Sequence, residues 1–221
     1  MAATPRECRA RVSAVRVLAP DVLEADLDMI EPPALAFQAG QWISVPFGPK
    51  QVRAYSIASS PRSPARLTLC ADVAPGGPGS RWFRALAPGA DVRFKGPLGG
   101  FVLPPDETRA PLLIAEEIGI VPVRAIVAEL ASGRPATVVY GAPDARRPYD
   151  AELRERARSD HAFAYHPVSA HDVAGAVARL GSGEGGMVAY VAGGETTIKH
   201  VRAILIGRGL ERKAIRWERF W

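Results

Sequence analysis

Arg53-Ala54-Tyr55-Ser56 sets a cation, an aromatic ring and a hydroxyl side by side. In an extended strand, residues two apart point the same way. Arg53 and Tyr55 therefore share a face, and Ser56 points to the other unless a bend at the strand end brings it round. A fixed guanidinium suits a phosphate. A ring beside it suits a flat heterocycle, and a hydroxyl or backbone N–H suits a ring nitrogen. Together these groups could hold a flavin nucleotide. The same four residues, taken alone, also fit an ordinary half-exposed strand.

Two further motifs follow in order. Pro75-Gly76-Gly77-Pro78-Gly79-Ser80 is a glycine-rich turn before a short helix. Backbone N–H groups at a helix start, with glycines permitting close approach, bind phosphate. Gly77, Gly79 and Ser80, next to Arg53, form the candidate pyrophosphate cradle. Gly96-Pro97-Leu98-Gly99-Gly100-Phe101 comes third, and the chain ends in Glu218-Arg219-Phe220-Trp221. In this order the motifs resemble those of the ferredoxin–NADP reductase-like family of flavoproteins, and the resemblance covers nearly the whole chain. It implies a flavin-dependent oxidoreductase that passes hydride from NAD(P)H to FAD, with FMN as the other flavin. Electrons would then go singly to an acceptor, such as an acidic carrier protein of the ferredoxin kind. It implies Arg53, Tyr55 and Ser56 as flavin contacts and Ser56 and Glu218 as catalytic residues, with Glu218 hydrogen-bonding Ser56 near the flavin N5. Trp221, or Phe220, would cover the flavin ring and swing aside for nicotinamide. The same aromatic pair could instead anchor the C-terminus.

The nicotinamide side departs from the family pattern. Where the family has G-G-T-G-I-x-P, this chain has Glu116-Glu117-Ile118-Gly119-Ile120-Val121-Pro122. Gly119 and Pro122 remain as candidate nicotinamide-side residues. Two carboxylates replace glycines that leave room for phosphate, and they carry the ligand's sign of charge. A Glu near a helix N-terminus is itself favourable, so these side chains could fill the anion's place. In the later C-G-x-x-x-M motif, Gly193 and Gly194 remain, but Ala192 and Ile198 replace the cysteine and methionine. The Ser-Arg pair for an NADP 2′-phosphate is at best Ser169-Ala170, which favours NAD. Arg146 and Arg147 could substitute as phosphate partners, but on an exposed loop they read as solvated. The alternative function is an electron-transfer subunit or partner-binding module with a degenerate nicotinamide site.

The elements that must position these residues follow from periodicity and turn signals. Strands are predicted at Arg9–Leu18, Val22–Met29, Gln41–Phe47, Val52–Ala58, Arg66–Val73 and Asp91–Lys95. A helix is predicted at Gly79–Leu86, with Ser80 as its N-cap. Six short strands suggest a small antiparallel barrel. After the polar segment Pro104–Arg109 the pattern turns to strand–helix alternation, ending in a strand at Lys213–Trp217. That alternation implies a parallel sheet with helices on both faces. The predicted organisation is a flavin-binding β-barrel domain at residues 1–105 and a nucleotide-binding-like α/β domain at 106–221. The stretch 181–186 reads as a glycine-rich loop.

Composition bounds the rest. The chain has 221 residues, is 48% hydrophobic and carries a net charge of +5. No apolar run approaches the ~20 residues that span a bilayer, and the start has no apolar signal core, so a cytoplasmic protein is expected. Cys8 and Cys70 are the only cysteines and form no C-x-x-C pair. With four scattered histidines, no metal site is expected. Of the 28 Lys and Arg residues, only Lys50, Lys95, Lys199 and Lys213 are lysine. The arginines are scattered, which disfavours nucleic acid and leaves room for an acidic protein partner.

Overall fold

A computed structural model describes residues 4–48, 51–180 and 186–221. The predicted glycine-rich loop lies outside the described residues except for Gly186. The chain packs as two compact units. The first takes Met1–Leu103 with Arg124–Glu129, and the second takes Pro104–Val123 with Leu130–Trp221.

The first unit holds β1 (Arg6–Ala19), β2 (Val22–Glu31), β3 (Trp42–Pro46), β4 (Val52–Ser56), β5 (Arg66–Asp72), α1 (Pro78–Arg84) and β6 (Asp91–Leu98). The strands form one sheet in the order β4-β3-β6-β1-β2-β5, and every pairing is antiparallel. The chain just past the end of β4 meets β5, the strand at the other edge. Ile57 bridges Leu69, and the Ala58 N–H donates to the Thr68 carbonyl at 2.7 Å. The sheet thus begins to close on itself, as a barrel does. Alternation drives it: Ala25, Leu27 and Met29 of β2 are buried, while Asp26 and Asp28 between them are partly open. The inward set joins Ile43, Tyr55, Leu67, Phe83 and Phe94 in one core.

The second unit holds β7 (Ala110–Glu116), α2 (Ile120–Glu129, its last six residues packing with the first unit), β8 (Ala136–Gly141) and α3 (Asp150–Ser159). Then come β9 (Phe163–Val168), α4 (Val173–Arg179), β10 (Met187–Gly193), α5 (Glu195–Gly207) and β11 (Ile215–Arg219). Its sheet runs β11-β10-β7-β8-β9, all parallel. Pro111–Ala115 and Val188–Gly193 are buried without alternation, the pattern of strands covered on both faces. Helices α4 and α5 supply one cover, through Val173, Val177, Ile198, Val201 and Leu205. No helix among the described residues is long and apolar enough to cross a membrane.

Three local expectations are corrected. Helix α1 is capped by Gly77, with no side-chain cap, so Ser80 lies inside the helix rather than at its N-cap. Pro78 pre-sets the first helical φ and starts the helix earlier than the serine signal. Strand β6 runs on through Gly96-Pro97-Leu98 rather than ending at Lys95. The last strand starts at Ile215, because Arg212–Ala214 form a 3-10 turn. Glu218 therefore lies within the strand, in register with Ala192.

Candidate functional site

In the first unit, β4 and the start of α1 bring the first two motifs together. The Tyr55 hydroxyl donates to the Gly79 carbonyl at 3.2 Å. A Cβ built on Gly79 would fall 2.8 Å from that hydroxyl and 3.2 Å from Arg53 Cγ. Only a glycine lets both side chains pass there. Both pass over one helical residue, which places Arg53 and Tyr55 on one face, as the strand period requires. Arg53 is exposed, and its Nη1 donates to its neighbour's carbonyl, Val52, at 2.8 Å. The rest of the guanidinium fork, at the strand surface, fits an incoming phosphate. Helix α1 has only seven residues, so the cation is the stronger anion partner of the two.

Tyr55 is more enclosed than its sequence suggests. Its ring lies 5.3 Å from Trp82 and 5.7 Å from Phe83. Burial pushes its hydroxyl up to about 12, against the opposing pull of Arg53. The phenol is therefore neutral and acts as a donor that ties β4 to α1. Ser56 ends β4 and is buried. In the third motif the Gln41 amide donates to the Gly99 carbonyl at 3.2 Å, and Phe101 is buried. That motif closes the end of β3 in addition to any ligand role.

In the second unit, the candidate residues gather at the carboxyl ends of β7 and β10. The strand order changes direction between these two strands, the place where open α/β sheets bind ligands. Gly119 and Pro122 are buried at the start of α2, and Gly193 ends β10 just before Gly194, the cap of α5. The chain itself fills the space these glycines leave. A Cβ on Gly119 would meet the Ala192 carbonyl oxygen at 2.3 Å, and one on Gly194 would meet the Trp221 indole nitrogen at 2.4 Å. The Phe220 N–H donates to the Gly193 carbonyl at 3.1 Å, so the C-terminal tail is held at the end of β10. Trp221 is half exposed. In the turn after β7, Glu117 takes φ +46°, a left-handed backbone that favours glycine.

Glu116 points to the neighbouring helix. Its Oε2 accepts from the Gly194 N–H at 2.8 Å and its Oε1 from the Thr197 hydroxyl at 2.8 Å. Counted from Ala192, C-G-x-x-x-M puts its methionine position at Thr197 rather than Ile198, so the sequence offered this residue and its role was missed. Arg147 is a correction: it is not solvated. Its side chain is 7% exposed and donates to the Ala142 and Val168 carbonyls at 2.7 Å. It ties the end of β8 to the end of β9.

Comparison with known proteins places the chain in a family. The oxidoreductase FAD-binding domain model matches residues 9–103, and the siderophore-interacting protein model matches residues 108–221, just over half of the chain. Ferredoxin–NADP reductase B of Sorangium cellulosum is 37% identical over 139 residues, 60% of this chain and 57% of that one. The reductase subunit of an aromatic O-demethylase from Amycolatopsis sp. is 33% identical over 174 residues, 74% of this chain and 51% of that one. The crystal structure of the Amycolatopsis cytochrome P450 reductase GcoB superposes with a TM-score of 0.86 at 25% identity, covering 98% of this chain and 70% of that one. The chain spans about half the length of these two curated relatives. It belongs to the ferredoxin–NADP reductase-like family of FAD/NAD(P)-binding oxidoreductases, with a C-terminal unit of the siderophore-interacting protein type.

Proposed function

We propose that the chain is a flavin-dependent reductase that takes hydride from NAD(P)H and passes electrons to a protein carrier. The observation that carries this reading is the meeting of Arg53, Tyr55 and Gly79 at one point, inside the segment matched by the FAD-binding model. That match supports FAD over FMN. When bound, a flavin supplies the acceptance of hydride and the release of electrons one at a time.

The chain's own residues supply position. Arg53 holds a phosphate by charge-assisted hydrogen bonds, beside the backbone of Gly77, Gly79 and Ser80. Tyr55 fixes the spacing of β4 and α1. The Ser56 hydroxyl is the proposed partner of the flavin N5, and Glu218 the second proposed catalytic group. Trp221 is the proposed cover of the flavin ring. Two electrons from one hydride serve two single-electron carriers. A net charge of +5 supports an acidic carrier. The name of the Sorangium relative also supports a carrier of the ferredoxin kind. Cys8 and Cys70 are buried as thiols, which suits a reducing compartment such as the cytoplasm.

The test is steady-state reduction of a ferredoxin by NADH or NADPH with the FAD-loaded protein. Saturable turnover is expected, and it should fall in Ser56→Ala and Glu218→Gln. An FAD-loaded protein with no turnover from either nicotinamide would contradict the reading. The match of residues 108–221 to the siderophore-interacting model favours a second acceptor, a ferric siderophore. Turnover with that acceptor and none with ferredoxin would select it.

A further inference from the structure

The space between β7 and β10 at the start of α5 holds an anion that belongs to the chain. Helix α5 begins after Gly194, whose φ and ψ of −74° and 159° are those of a cap. Glycine has no side chain to receive the first N–H groups of the helix, and α5 has no side-chain cap of its own. The orphan donors and the helix dipole favour a negative group there. Glu116 supplies it from another strand. One carboxylate oxygen accepts from the Gly194 N–H and the other from the Thr197 hydroxyl, both at 2.8 Å. The fit is close: a Cβ on Gly193 would lie 2.8 Å from Glu116 Cβ and 2.9 Å from its Oε2. Trp221 packs on Gly194. The carboxylate expected from the sequence to stand at the start of α2 thus stands at the start of α5.

We infer that Glu116 is a resident anion that sets what this crevice accepts. It holds the place at the α5 N-terminus that a ligand phosphate or carboxylate would take. Neutral hydrogen-bonding groups can lie beside it. Anionic groups must bind elsewhere or displace it, because two like charges in one partly screened site repel. The occupancy follows from the second unit alone. Its effect on a dinucleotide rests on the reductase reading above.

The experiment compares the full FAD-loaded chain with Glu116→Ala and Glu116→Gln. Thermal midpoints are followed against inorganic phosphate, with sodium chloride at matched ionic strength as control. NADH binding is titrated in parallel. In E116A, phosphate should give a saturable rise in midpoint with an apparent affinity at least about tenfold above that of the unaltered chain, the order of effect for relief of one close like-charge contact. E116Q keeps an acceptor and loses the charge, and should lie between the two. If E116A does not fold, E116Q carries the test. A phosphate response equal to that of the unaltered chain in every variant that folds would overturn the inference. A gain for phosphate without any change for NADH would leave Glu116 as the resident anion and count instead against dinucleotide entry at this crevice.

Discussion

At the scale of single residues, Arg53 carries the flavin assignment. Its head is exposed and its stem lies over Gly79. Arg53→Ala should leave the fold intact and weaken flavin binding. A charge-assisted hydrogen bond contributes about 1.5–3 kcal/mol, so the loss should be roughly ten- to a hundredfold in Kd. Flavin titration of the apoprotein measures it, and unchanged affinity would remove Arg53 from the site. The meeting of Arg53, Tyr55 and Gly79 was legible because a cation, a ring and a glycine turn keep their order in the sequence. The enclosure of Tyr55 was not. It depends on Trp82 and Phe83, brought in by α1, and strand period says nothing of a neighbouring helix. Thr197 was equally hidden, since its partner Glu116 lies far away in sequence.

At the scale of elements, the turn after β7 holds backbone strain. Glu117 at φ +46° occupies a conformation that costs a non-glycine residue about 1–2 kcal/mol. Glycine's greater freedom when unfolded offsets part of that gain. Glu117→Gly should therefore stabilise the protein by up to about 1 kcal/mol, read from the denaturant midpoint. A clear loss would mean that the Glu117 side chain itself holds the turn. The segment leading into β7 offers a second prediction. Arg109 donates to both oxygens of Glu107 at 2.8 and 2.6 Å and holds that carboxyl down to about 2, from an ordinary 4.5. Its stabilisation is complete above pH 4.5 and is lost as pH falls toward 2. Glu107→Gln should lower stability at neutral pH and flatten the acid limb across that window. An acid limb identical to that of the unaltered chain would show that the pair contributes nothing to folding. Strand periods and glycine signals placed nearly every element within a few residues. The misses came where geometry overrides local preference, as with Pro78 starting α1 before Ser80, and the 3-10 turn at Arg212–Ala214 displacing β11.

At the scale of the whole molecule, an antiparallel unit and a parallel unit follow one another along the chain, as the change from runs of strands to strand–helix alternation predicts. Which residues of α2 pack with which unit was not legible, because one helical stripe does not say what covers it. Family membership and the first unit's geometry point to flavin chemistry. The second unit's glycines are taken up by Ala192, Glu116 and Trp221, which makes nicotinamide use the claim most in need of measurement. Deleting Trp221 should change the flavin spectrum or speed reduction, while an unchanged spectrum and rate would leave it as an anchor of the C-terminus. The direct test of the central claim is an anaerobic titration of the purified, FAD-loaded chain with NADH and with NADPH, followed by flavin absorbance. The account predicts that the yellow colour bleaches with one equivalent of nicotinamide, NADH acting at lower concentration than NADPH. A flavin that is bound and stays oxidised with both would contradict it.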